Sequence, residues 1–171
     1  MAAAPVYIPV EEYLRTSYSP DAEYVDGQIV ERAAGENEHS DWQKALVIWF
    51  ESQARKAGIR VRPEFRVQVD AACFLVPDLA LLDRNRPVER YATHPPLAVI
   101  EILSPEDSFR RVLAKCCRYA RMGVLTILVL DPDGEKYRYV EGRLEPLTAR
   151  AFDLPGCGAR FDLDEIEKLL D

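Results

Sequence analysis

The chain of 171 residues is 48% apolar and 30% charged, enough for a real core, and no apolar run reaches the roughly 20 residues that a bilayer span needs. Its net charge of −7 argues against an extended basic surface for nonspecific nucleic-acid binding, whose affinity comes from neutralised phosphates, while leaving room for a local basic groove. Cys73, Cys116, Cys117 and Cys157 lack C-x-x-C spacing and have only His39 and His94 beside them, which argues against structural zinc and for reduced thiols filling a core.

The opening M-A-A-A-P-V-Y has no basic region followed by an apolar stretch and cleavage site, so a cytoplasmic protein is expected. One domain over 1–171 is expected, with a helix-and-hairpin extension over 1–35, a core over 36–135, and a closing hairpin and helix over 136–171. In chain order, P-V-E-E-Y-L-R-T from Pro9 predicts a short helix with Val10, Tyr13 and Leu14 on one face. E-Y-V-D-G-Q-I-V-E-R then predicts a hairpin turning at Asp26-Gly27, with strands near 22–25 and 28–33.

Ser40 with Gln43 has the form of a capping box, and Trp42, Ala45, Leu46, Trp49 and Phe50 recur at helical spacing, predicting a helix over 40–57. Ile59 to Val69 alternates, and Pro63 marks it as an edge or bulged strand that puts Arg60, Arg62 and Arg66 on one face. Strands follow over 76–82 and 97–103, joined by a loop carrying Arg84, Arg86 and Arg90; a loop of that length is often functional. From Ser108 to Met122, Phe109, Val112, Leu113, Cys116 and Ala120 form an apolar stripe that stops at Gly123, with Lys115 at its border. V-L-T-I-L-V-L is a buried strand, a hairpin about Glu141-Gly142 follows, and F-D-L-D-E-I-E-K-L-L ends in a helix. A helix joining two buried strands implies a mixed sheet with helices packed on it.

Two of those strands each carry one carboxylate in an apolar run: Asp78 in V-P-D-L-A-L-L and Glu101 in P-L-A-V-I-E-I-L-S-P. An unpaired ionised carboxylate is expensive to bury, so each needs a cation, a shifted pKa or a strand-end position. Solvated or arginine-paired strand ends are the plainer explanation, and Lys115 alone reads as a helix-surface lysine. A shared metal ion answers both acids at once. Arg110, Arg111, Arg118 and Arg121 occupy the polar side of the Lys115 helix, a solvated face by default that, with Arg84 and Arg86, is also suited to rim a phosphate groove. Cys116 and Cys117 have no assignable histidine partner and do not read as nucleophiles.

Y-V-D-G-Q-I-V-E, V-P-D-L-A-L-L, V-I-E-I-L-S-P, K-C-C-R-Y-A-R-M-G-V and L-V-L-D-P, in that order, resemble the Uma-two family of restriction-endonuclease-like proteins, in the PD-(D/E)XK nuclease superfamily. The resemblance implies an α/β fold with a restriction-endonuclease-like mixed central sheet flanked by helices. It also implies a Mg²⁺- or Mn²⁺-dependent endonuclease acting on DNA, with Asp78 and Glu101 as metal ligands, the backbone carbonyl of Ile102 as a further one, and Lys115 assisting the attacking water. The superfamily's usual lysine position, two residues after the glutamate, is Leu103 here; the match passes to Lys115. Glu23 and Asp26 match the family's hairpin acids and His39 its helix-start histidine, with Glu23 and His39 as accessory candidates; the plainer readings are hairpin residues, since Asp-Gly is first a turn signal, and a helix-start histidine with no chemistry. Four positions before Lys115, an acid common in the family is replaced by Arg111. The alternatives are a nuclease fold that has lost hydrolysis and binds DNA or protein, and an acidic partner protein that dimerises through its hairpins. A homodimer also suits double-strand cleavage.

Overall fold

The computed structural model describes residues 6–33 and 35–170. A short helix α1 (Val10–Arg15) leads into the hairpin β1 (Glu23–Val25) and β2 (Gln28–Val30), then the long helix α2 (Asn37–Ala57). Five strands follow: β3 (Ile59–Pro63), β4 (Val67–Asp70), β5 (Cys73–Leu75), β6 (Leu79–Asp83) and β7 (Ala98–Ile102). Helix α3 (Phe109–Met122) precedes β8 (Thr126–Leu130), and the chain closes with the hairpin β9 (Lys136–Val140) and β10 (Arg143–Pro146), the hairpin β11 (Ala151–Asp153) and β12 (Arg160–Asp162), and α4 (Leu163–Glu167). Among the described residues no helix is long and apolar enough to cross a membrane.

The larger sheet has the order β10-β9-β8-β7-β6-β3. Only β7 and β8 are parallel; the other neighbours pair antiparallel. A parallel pair cannot be closed by a tight turn, and α3 supplies the crossover. Helix α2 covers one face, where Trp42, Leu46 and Phe50 pack on Leu79, Leu81, Ile100 and Leu128. The other face packs Val99, Ile127 and Val129 against Val112, Cys116 and Tyr119 of α3. Each fully buried large aliphatic side chain contributes about 1.5–3 kcal/mol relative to leaving it exposed. Because side chains alternate along a strand, Ala98, Ile100 and Ile102 face α2 while Val99 and Glu101 face α3.

A second, antiparallel sheet, β2-β1-β5-β4, adds Val67 and Leu75 to the α3-side core. Tyr13, Tyr24 and Phe74 fasten α1 to it, and the Tyr13 hydroxyl donates to the Ala22 carbonyl at 2.8 Å. The Arg66 guanidinium lies 4.4 Å from the centre of the Tyr13 ring. This cluster fixes the start of β1, and therefore Glu23.

Three expectations need correction. Ser40 does not cap α2: the helix starts at Asn37, and the Ser40 N–H already donates to the Glu36 carbonyl. Gln43, the other half of the expected box, is spent elsewhere, donating to the Asp78 carbonyl at 2.9 Å. The run Ile59 to Val69 is two strands in different sheets, because it breaks at Pro63 and at Glu64, whose φ is +49°. Arg60 and Arg62 share β3, whereas Arg66 forks onto Asp21. The expected strand 76–82 starts later than its sequence suggests: β5 ends at Leu75, before that range, and β6 begins only at Leu79. Pro77 has no N–H for a ladder, and the Val76 N–H is taken by Glu23 Oε1 at 3.0 Å. Asp78 therefore sits in the link between two strands, not inside one.

Candidate functional site

The β6–β7 register pairs Leu79 with Ile100, which brings Asp78, one residue earlier, alongside Glu101 and Ile102. The Ile102 N–H donates to Asp78 Oδ2 at 2.7 Å. The other oxygen, Oδ1, is 2.8 Å from Arg32 Nη2 and 3.2 Å from His39 Nε2. Asp78 is only 3% exposed. Burial pushes its pKa up, but the His39 hydrogen bond and charge, the Lys115 charge and the Ile102 N–H outweigh that and hold the carboxyl below its ordinary range. The same contact raises the His39 pKa.

Glu101 meets α3. Its Oε2 accepts from Lys115 Nζ at 2.8 Å and its Oε1 from the Tyr119 hydroxyl at 2.8 Å. Lys115 and Tyr119 are one turn apart on a helix, so one face delivers both donors. Lys115 Nζ is also 2.8 Å from Glu23 Oε1. Burial, opposed by Lys115 and reinforced by the charges of Asp78 and Glu23, raises the Glu101 carboxyl to a pKa of about 7. Burial alone would lower the Lys115 pKa, yet Glu101, Glu23 and Asp78 more than offset it, and the ammonium stays charged.

These groups border a cleft of about 310 Å³. Its acids are Glu23, Glu31, Asp78, Glu101, Glu106 and Asp107; its cations are Arg32, Arg111 and Lys115. The surplus of carboxylates favours a bound cation over a bare polyanion. Among the described residues no group of three or more His, Cys, Asp or Glu side chains forms a metal cage. The carboxylates that line the cleft are oxygen donors, the chemistry that suits a hard ion such as Mg²⁺, which keeps several of its waters and is seldom caged by protein alone.

Of the residues singled out from sequence, Asp78, Glu101, Ile102, Lys115, Glu23 and His39 all line this cleft. Asp26 does not; it holds the hairpin turn with φ +50° and pairs with Arg118 at 2.9 Å. The proposed arginine rim also divides. Arg111 lines the cleft, Arg118 is paired with Asp26 and Asp70, Arg84 donates to the Ile59 carbonyl, and Arg86 lines a separate small pocket with Arg60 and Arg62. Burial pushes the Cys116 thiol up to about 12, which agrees with its reading as core filler. Sequence reasoning missed Arg32, Tyr119 and Gln43. Tyr119 was findable, since it falls four residues after Lys115 on the same face; Arg32 falls in the expected strand 28–33, which ends at Val30, and its sequence position gives no such signal.

A family model described as "Uma2: Putative restriction endonuclease" matches residues 10–150. The crystal structure of a putative nuclease belonging to DUF820 from Anabaena variabilis superposes with a TM-score of 0.81 at 20% identity, covering 98% of this chain and 100% of that one. The two share a fold, the mixed sheet flanked by helices that the sequence predicts. The cryoEM structure of a DrdV–DNA complex aligns with a TM-score of 0.41 at 17% identity, over 75% of this chain and 10% of that one. No curated protein matches the sequence.

Proposed function

The chain belongs to the Uma2 family of putative restriction endonucleases, and from that premise we propose that it is a divalent-metal-dependent endonuclease hydrolysing phosphodiester bonds in DNA. The observation that carries this reading is the convergence of Asp78, Glu101 and Lys115 on one cleft from a strand link, a central strand and a crossover helix. Asp78, Glu101 and the Ile102 carbonyl would hold Mg²⁺ or Mn²⁺, with Glu23 and His39 as accessory groups at the margin. When bound, such an ion supplies charge neutralisation at the scissile phosphate and a water of lowered pKa.

The chain's own groups do the rest. Lys115, kept charged by Glu23 and Glu101, is a donor and not a base: it orients the attacking water and stabilises negative charge that grows on the phosphate oxygens. Tyr119 and the Ile102 N–H fix the two carboxylates in position, the kind of outer support on which ligand geometry depends.

The test is cleavage of supercoiled plasmid and of duplex and single-stranded oligonucleotides with Mg²⁺, Mn²⁺ or EDTA. Cleavage is expected only with the ion, and is lost in Asp78→Asn, Glu101→Gln and Lys115→Met. Cleavage that persists in EDTA, or in all three variants, overturns the reading. One observation favours the second reading, a degenerate binding module: Arg32 and Lys115 are already engaged by the cleft's own carboxylates. That reading predicts ion-independent oligonucleotide binding and no cleavage.

A further inference from the structure

Arg32 follows β2 by two residues and reaches into the cleft with a side chain only 12% exposed. Nη2 donates to Asp78 Oδ1 at 2.8 Å and Nη1 to Glu64 Oε1 at 3.4 Å. The same Oδ1 also receives His39 at 3.2 Å, while Oδ2 receives the Ile102 N–H. With about two acceptor sites per carboxylate oxygen, Oδ1 is full. A cation that takes Oδ1 must displace one of its two donors, and one that takes Oδ2, where the Ile102 N–H leaves a site open, still comes within a carboxylate's width of the Arg32 charge. His39 can stay as a neutral ring; Arg32 cannot shed its charge, and like charges repel most strongly where water is excluded.

The displaced guanidinium has somewhere to go. Glu64, its second anchor, is half exposed and holds it loosely. Among the described residues that line the cleft, six are acids and Arg111 is the other guanidinium. A planar fork of donors matches the paired oxygens of a phosphate, which an ammonium does not.

Resting on the metal-dependent nuclease reading, we infer that Arg32 is the counter-cation of the metal-free cleft, and that on yielding Asp78 to a divalent ion it becomes the group that binds a substrate phosphate.

The inference is tested by calorimetric titration of Ca²⁺ into wild type, Arg32→Gln and Arg32→Lys, with Ca²⁺-dependent binding of a DNA oligonucleotide followed by anisotropy. Removing the competing charge should tighten Ca²⁺ about tenfold, the change that corresponds to about 1.4 kcal/mol. Arg32→Lys should bind the ion as wild type does. Oligonucleotide affinity of Arg32→Gln should fall about tenfold in the same buffer. Opposite signs in the two readouts cannot arise from general damage to the site. Normal Ca²⁺ binding by wild type with unchanged or weakened binding by Arg32→Gln overturns this inference alone. No ion uptake by wild type overturns it together with the nuclease reading. Should Arg32→Gln not fold, the side-chain ¹⁵Nε signal of Arg32 in wild type decides: a large shift on adding Ca²⁺ supports release from Asp78, and an unmoved signal refutes it.

Discussion

Lys115 and Glu101, fourteen residues apart, close a buried ion pair with Nζ 2.8 Å from Oε2. The pair links the centre of the sheet to the crossover helix. It is also shared, because the same ammonium answers Glu23 of the second sheet. One side chain thus ties together three elements that meet at the cleft.

Replacing Lys115 by Met keeps the bulk of the stem and removes the charge. Glu23 and Glu101, 5% and 6% exposed, then lack a cation between them. Breaking a buried pair from one side costs about 3–5 kcal/mol, because the remaining charge is stranded. Urea denaturation near pH 8 should register a loss of that order. The loss should shrink near pH 5, where Glu101 can bind a proton.

The pH dependence of the wild type carries its own prediction. Glu101 has a folded pKa of about 7 against an ordinary value of 4.5, so between those values the folded state binds more protons and stability falls as pH rises. The amount is about 3 kcal/mol for a shift of this size. His39 acts in the same sense: its folded pKa is raised, so its contribution is present at acid pH and fades as pH climbs through that value. Asp78 acts oppositely, its lowered pKa giving stability that disappears only in stronger acid. Urea midpoints of the metal-free protein should therefore be higher at pH 5 than at pH 8. Glu101→Gln should flatten most of that difference, and an unaltered slope would exclude Glu101 as its source.

The parts of this arrangement that sequence made legible are those written in short-range pattern. Asp26-Gly27 and Glu141-Gly142 turn their hairpins with positive φ at both positions, as dipeptides of that kind require. Gly123 ends α3 in the left-handed region, and Ser108 caps its start by accepting from the Arg111 N–H. Two lone acids in apolar runs pointed to the cleft because burial makes such acids conspicuous. Alternation, in contrast, carries no record of which sheet a strand joins, and so Ile59 to Val69 read as one strand. Nor does local pattern report long-range commitments. Gln43 looked like half of a cap because its bond to Asp78, thirty-five residues away, leaves no local mark. The β11–β12 hairpin went unseen for a related reason: each strand is three residues long, too short for periodicity to register.

Tyr119 offers a milder test of the same cluster. Its hydroxyl donates to Glu101 Oε1 at 2.8 Å from a fully buried ring. Tyr119→Phe preserves the packing and deletes one charge-assisted hydrogen bond, worth about 1.5–3 kcal/mol. With one donor gone, ionised Glu101 is less well supported, so its pKa should rise further. A carboxyl titration by ¹³C NMR should move upward in Tyr119→Phe, and an unmoved curve would count against the bond.

Metal linkage gives the last expectation. An ion that binds only the folded protein stabilises it by an amount set by its concentration over its Kd, about 2.7 kcal/mol at a hundredfold excess. For a chain of this length that corresponds to roughly 5–10 °C in Tm. Mg²⁺ should raise the Tm of wild type, and EDTA should return it. Asp78→Asn retains an oxygen for the Ile102 N–H but loses the charge, so it should lose the Mg²⁺ response whatever its own Tm is. Its metal-free Tm should fall as well, since the nearly buried Arg32 loses its shorter ion pair and keeps the one with Glu64, 3.4 Å away. The two effects separate by experiment: a mutation that only weakens the fold lowers both baselines and keeps the Mg²⁺ increment, whereas removal of a ligand abolishes the increment. Persistence of the full increment in Asp78→Asn would place the ion elsewhere.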